Sequence, residues 1–304
     1  MAAHTGAHQN RTHIGARNVL LATLKRISPY SNRSRLRIDW ITWRLWWWGD
    51  GAGNQPSNDT GTPTPGTNVT AASCYDANLG DSPGSTYEVV SAFSDSVTGV
   101  NGTMDLALSI GSLTTFQGYA AYEYDTNVIT TTNDPANNLK NVSNQTAKYY
   151  QKRTGTTAVT NYGWTSQSNM TTTQGGSTTV IAGTATTVFT PPWVDTSYAL
   201  EPGKTVTQTY TETATITSSV NGGAPTTQTG TSSFSITNKF VGIETITVPA
   251  GSFQACRFQD SDTPGNTTWT LVGTGMTIKS TTVVAGVSNY ALQATSIKVN
   301  GKSL

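Results

Sequence analysis

Lys204-Thr-Val-Thr-Gln-Thr-Tyr-Thr-Glu-Thr-Ala-Thr-Ile-Thr-Ser-Ser-Val220 is the stretch that decides the fold. Thr205, Thr207, Thr209, Thr211, Thr213, Thr215 and Thr217 occupy alternate positions, with Val206, Gln208, Tyr210, Glu212, Ala214 and Ile216 between them. A helix turns about 100° per residue and would scatter these threonines around its axis, whereas a strand puts them all on one face. Asn221-Gly222-Gly223 then supplies residues that tolerate positive φ, so the chain turns back as a hairpin through Phe234, Ile236 and Phe240.

The same period of two extends over most of the chain. Runs rich in Thr, Val, Tyr and Ile, separated by Gly, Asn and Pro, predict strands over 86–96, 102–110, 115–124, 145–153, 177–190, 204–219, 226–248, 253–260, 267–273, 276–284 and 288–299. Helical periodicity is nearly absent. The expected fold is all-β: one large curved antiparallel sheet, a half-barrel or incomplete barrel, with a two-sheet sandwich as the alternative. The β domain is expected to span residues 73–304, preceded by a Gly/Pro/Thr-rich tether over 49–72 and a basic segment over 1–48.

Charge separates these parts. The 304 residues carry 18 Lys+Arg against 17 Asp+Glu, yet residues 1–48 hold eight of the bases and one acid, Asp39, leaving the remainder at net −6. An acidic body is a poor match to the phosphates of nucleic acid, so no nucleic-acid partner is expected. His4, His8 and His13 are the three histidines of the chain. The β domain therefore has none, which excludes His-dependent triads and His-ligated metals there.

In the N-terminal segment the apolar run Val19 to Leu24 is short and is followed by Lys25-Arg26, unlike a secretory signal. Leu45-Trp46-Trp47-Trp48-Gly49 has a second reading at the codon level. Tryptophan is encoded only by TGG, so a Leu codon ending in TG followed by three Trp codons reads, one base along, as Cys-Gly-Gly-Gly. A cysteine followed by glycines and a Gly/Pro/Thr tether is the form of a lipidated bacterial N-terminus, which suggests a frame slip in the signal region. The competing reading is a basic arm with Trp40, Trp43 and Trp46 to Trp48 as interfacial anchors.

Residues 240–258 include Gly242-Ile-Glu244-Thr-Ile-Thr-Val248-Pro249-Ala250-Gly251-Ser-Phe253. This is similar to a G-x-E-x-(I/V)-x-V-P-A-G-x-F motif of uncharacterised cell-envelope lipoproteins of Gram-negative bacteria. The resemblance covers residues 200–304 well and 73–200 only in composition. It implies a periplasmic or outer-membrane-tethered curved β-sheet, lipid-anchored or secreted, and carries no catalytic residues.

Within this motif the chain should reverse between Val248 and Phe253, because Pro249 presets φ and Gly251 accommodates unusual backbone. Pairing Val248 with Phe253 places Glu244 opposite Arg257, a cross-strand charge pair read as structural rather than catalytic. Cys74 and Cys256 form no metal set; they either close one very long disulfide loop or stand as two buried thiols, and the bonded state is expected.

Other candidate sites are weak. Asp76 to Asp81 departs from a calcium loop at its fifth position, Gly80, and its twelfth, Tyr87; Asp260 and Asp262 read as a polar turn. No cofactor is expected. The function expected is non-enzymatic: binding of a lipid or other apolar ligand on the concave face, where Tyr87, Tyr119, Tyr122, Tyr149, Trp164, Phe189 and Trp193 gather. The alternative is a structural or adhesive Thr-rich surface protein contacting glycans or cells.

Overall fold

Strand alternation is realised as a single antiparallel meander. A computed structural model describes residues 70–75, 82–155, 157–260, 266–284 and 288–304. Its strands are β1 Thr86–Asp95, β2 Asn101–Phe116, β3 Tyr119–Asp134, β4 Leu139–Thr154, β5 Ala158–Gln174, β6 Ser177–Asp195, β7 Thr205–Val220, β8 Thr226–Val248, β9 Gly251–Asp260, β10 Thr267–Leu271, β11 Thr277–Val284, β12 Ser288–Val299 and the two-residue β13, Lys302–Ser303. Each strand pairs with the next in the chain. The basic segment 1–48, most of the tether and the Asp76–Asp81 loop lie outside the described residues.

The sheet closes. β1 pairs antiparallel with β12, from Tyr87 opposite Val299 to Asp95 opposite Tyr290. This corrects the expectation of a half-barrel, and of a sandwich, to a closed 12-strand barrel with β13 appended to β12. Closure satisfies the backbone donors and acceptors that two open edges would leave exposed. The other new element is β5, which the sequence reading left out. Its inward positions include Asn161, Ser166 and Ser168, so the strand lacks an apolar alternation to detect.

One row of inward residues can be followed across the barrel wall: Phe258 lies opposite Thr268, Thr268 opposite Ser280, Ser280 opposite Leu292, and Leu292 opposite Phe93. On the far wall Tyr124, Tyr149, Trp164, Thr187 and Ala214 follow one another in the same way. The outer surface is hydroxylated. Thr205, Thr207 and Thr209 are exposed while Tyr210 is buried, as the alternation of β7 requires. Across to β8 the threonines form hydroxyl pairs: Thr207–Thr237 at 3.0 Å, Thr211–Ser233 at 2.9 Å, Thr213–Thr231 at 2.9 Å, Thr215–Thr229 at 3.0 Å and Thr217–Thr227 at 2.8 Å. This polar exterior differs from the apolar band that a membrane-spanning barrel turns to lipid.

The N-terminal segment belongs to the fold from before the expected boundary at residue 73. Ala71 is fully buried and its N–H donates to the Leu200 carbonyl at 2.8 Å. Ala71–Cys74 forms a short 3-10 turn whose carbonyls at Ser73 and Cys74 accept from the N–H groups of Gly273 and Gly275, both at 3.0 Å. Cys74 is disulfide-bonded to Cys256 across 182 residues of chain. Together with Phe240 they make a cluster against which Tyr198, Leu200 and Phe258 pack.

The β8–β9 hairpin has a different register from the one expected. Val248 pairs with Gly251, leaving Pro249 and Ala250 as a two-residue loop, and Ile246 faces Phe253 while Glu244 faces Ala255. The shift is two residues, so the apolar face of Ile246, Val248, Phe253 and Ala255 is the one anticipated. Face parity cannot distinguish registers two residues apart. Gly251, at φ 144, takes the conformation that lets the tight loop rejoin the strand. The loop's Ala250 N–H donates to the Ala294 carbonyl at 3.0 Å, tying the hairpin tip to β12.

Candidate functional site

The apolar concave surface expected to be open is partly filled by the protein itself. Val89, Leu106, Leu108, Ile278 and Ile297 form the main buried cluster, joined by Ile246, Val248 and Ala255 from the hairpin. Phe189, Trp193, Tyr210 and Ile236 form a second, with the Phe189 and Tyr210 rings edge to face at 5.5 Å. Of the seven aromatics assigned to the concave face, Tyr119 is exposed and stacks on Tyr162, 4.9 Å between centroids. Tyr87 and Trp193 border space that remains.

Besides a space of about 760 Å³ against the inner sides of β1–β6, around Leu108, Thr126, Ala147 and Ser166, there is a lumen cavity of about 170 Å³. Its walls come from strands on opposite sides of the barrel. Gln151 and Asn161, near the end of β4 and the start of β5, lie about half-way round the strand order from Asp260 at the end of β9 and Thr268 and Thr270 on β10. Tyr75, from the disulfide-held segment, and Ser197 and Tyr198, from the turn after β6, complete the lining. The Tyr75 hydroxyl lies 3.4 Å from that of Tyr124 and its ring 5.1 Å from that of Tyr198; the Arg153 guanidinium sits over it at 4.9 Å.

Most polar groups here hold one another. Asp195 Oδ1 accepts from the Ser197 N–H at 2.8 Å and from Gln208 Nε2 at 3.1 Å, while Gln208 Oε1 accepts from Trp193 Nε1 at 3.0 Å. Asn238 Nδ2 donates to Ser197 Oγ at 3.2 Å. Burial pushes the Tyr198 phenol well above its ordinary value, with the charge of Asp195 acting in the same direction, so this hydroxyl stays protonated. Two side chains differ. Gln151, 2% exposed, has no partner for Oε1, and Asn266, 3% exposed, has none for either Oδ1 or Nδ2. An unpaired buried polar atom costs about 1–3 kcal/mol, so such groups mark a place where water or a ligand belongs.

Among the residues singled out in the sequence, Asp260, read as part of a polar turn, is the buried last residue of β9 and lines the cavity, while Asp262 lies outside the described residues. Glu244 and Arg257 share a face, but diagonally: Arg257 Nη1 is 4.0 Å from Glu244 Oε2, and Glu244 also accepts from Trp269 Nε1. They do not line the cavity. Gln151, Asn161, Asp195, Asn238 and Asn266 carry no local motif. For all but Asn266, which lies just before β10, the common signal is an amide or carboxylate at an inward position of a strand, which requires the register to be known.

Fold and site define a closed antiparallel β-barrel with a partly filled lumen and a mixed polar and aromatic cavity. No protein-family model matches the chain, and no curated protein matches it in sequence. A solved structure to which it is similar is a β-barrel-like protein of a domain of unknown function from Brucella abortus, with 8% identity and a TM-score of 0.36 over 72% of this chain and 99% of that one. The envelope-lipoprotein resemblance of residues 240–258 thus rests on its motif.

Proposed function

We propose that this protein is a non-enzymatic ligand-binding barrel of the bacterial cell envelope that holds a small amphipathic molecule in its lumen. The observation that carries the reading is the retained cavity of about 170 Å³ beneath the disulfide-tied segment 70–75. Barrel diameter grows with strand number, and 12 strands enclose more room than the roughly 8-strand barrels whose interiors side chains just fill, so space for a ligand is expected. The adhesive alternative is less favoured, because the Thr hydroxyls on β7 and β8 are already paired with each other.

An oxidising compartment suits a disulfide of such long span, and the hydroxylated exterior suits an aqueous envelope space. Membrane attachment, in this proposal, is through a lipidated cysteine encoded in the alternative frame at Leu45–Trp48. Independent sequencing of the gene across the Trp codons tests that part, and an intact run of TGG codons overturns it. Ligand binding is tested by native mass spectrometry of the full chain isolated from its host. A small-molecule adduct released on unfolding is expected, and its absence, together with failure of every compound named below to bind, overturns the reading.

A further inference from the structure

The unsatisfied groups of the lumen define a ligand chemistry. The two carboxylates on the wall are both engaged: Asp195 with Ser197 and Gln208, and Asp260 with partners of its own. The free valences are instead neutral amides, the Gln151 oxygen on one wall and the oxygen and nitrogen of Asn266, beside Asp260 at the start of β10. The carboxylates keep their charge, but Asp195 Oδ1 is already taken by Ser197 and Gln208, and the groups left unpaired are uncharged. An apolar ligand would seal three unpaired polar atoms in the barrel at about 1–3 kcal/mol each.

A hydroxyl group answers both needs, because it donates to an amide oxygen and accepts from an amide nitrogen. Several hydroxyls on one rigid frame are needed to reach amides on opposed walls. Between those walls the cavity is lined by Tyr124, Trp193, Tyr198 and Phe258, rings suited to the C–H face of a small saturated ring.

We infer that the lumen cavity takes a small, neutral, polyhydroxylated molecule of the monosaccharide or cyclic-polyol class, held by Gln151 and Asn266. The inference rests on the ligand-binding reading above and names its ligand class. A ligand of about a dozen heavy atoms at ~0.3 kcal/mol per atom corresponds to a dissociation constant in the millimolar range.

The test is isothermal titration of the full chain with glucose, galactose and myo-inositol, and in parallel with oleate and choline. At least one of the three polyols is expected to bind, and oleate and choline are not. Gln151→Leu removes the unpaired oxygen while keeping an unbranched-to-γ side chain of similar bulk. It is expected to fold, as circular dichroism would report, and to weaken polyol binding by about tenfold or more. Asn266→Ala should act in the same direction, and Thr215→Ala, on the outer face, should change nothing.

Binding of oleate or choline without any polyol overturns the ligand class and leaves the binding barrel standing. Polyol binding that Gln151→Leu and Asn266→Ala both leave intact places the site elsewhere and overturns the inference. Absence of binding by all five compounds overturns it too; an adduct found on host-isolated protein would then preserve the broader reading.

Discussion

Replacing both cysteines, Cys74→Ser with Cys256→Ser, should remove a large share of this barrel's stability. The bond joins residues 182 apart, and β1 through β8 and part of β9 lie inside the loop it closes. In the chain-entropy model the unfolded chain gains 2.1 cal/mol/K plus 1.5R ln n when such a loop is opened. With n at 182 this is about 18 cal/mol/K, or ~5 kcal/mol at 25 °C. A typical domain has only about 5–15 kcal/mol to lose. Because the term acts on the unfolded state, two signatures follow: the guanidinium midpoint falls, and the m-value rises as the unlinked chain exposes more surface. Urea and guanidinium titrations of wild type and double variant, followed by circular dichroism, measure both. Each single variant opens the same loop but buries one serine hydroxyl rather than two in the Cys74–Phe240–Cys256 cluster, so it should lose no more than the double. A double variant within about 1 kcal/mol of wild type, with an unchanged m-value, would refute the reasoning.

Gly163→Ala should cost more than about 4 kcal/mol by thermal or chemical denaturation, because the β5–β6 register shifts between Asn161 and Gly163 and a Cβ at Gly163, φ 149, would stand 2.1 Å from the Thr187 carbonyl oxygen; a near-wild-type midpoint would contradict that close approach. Alkaline titration should destabilise the fold: burial raises the Tyr149, Tyr198 and Tyr290 phenols above 10.0, so the unfolded state releases protons first, and stability present below pH 10 is lost as pH climbs above it. Stability that stays flat from pH 9.5 to about 11.5, measured by urea midpoints, would count against their burial. A double-mutant cycle on Glu244→Gln and Arg257→Met should give a coupling below about 1 kcal/mol, since the pair is diagonal, 4.0 Å apart and 42% exposed at Glu244; a coupling of several kcal/mol would mean a tighter pair.

What the sequence by itself determined is strand character and which side of each strand faces in. The alternation of Thr205 to Thr217 and the boundaries of β8 at Thr226 and Val248 are local properties, because side-chain direction in a strand depends only on parity. For the same reason the apolar face of the β8–β9 hairpin was legible although its register was not: Val248–Phe253 and Val248–Gly251 pairings put the same residues on the same face. Tertiary structure alone decided three things. Closure depends on β1 meeting β12, some 200 residues on, and no local pattern records which edges meet. β5 exists because its neighbours supply both ladders, its own inward Asn161, Ser166 and Ser168 being polar. The cavity brings Gln151 and Asn266 together from opposed walls, and a site assembled across a lumen leaves no spacing in the chain, since its distances are set by barrel diameter and strand tilt rather than by residues along the sequence.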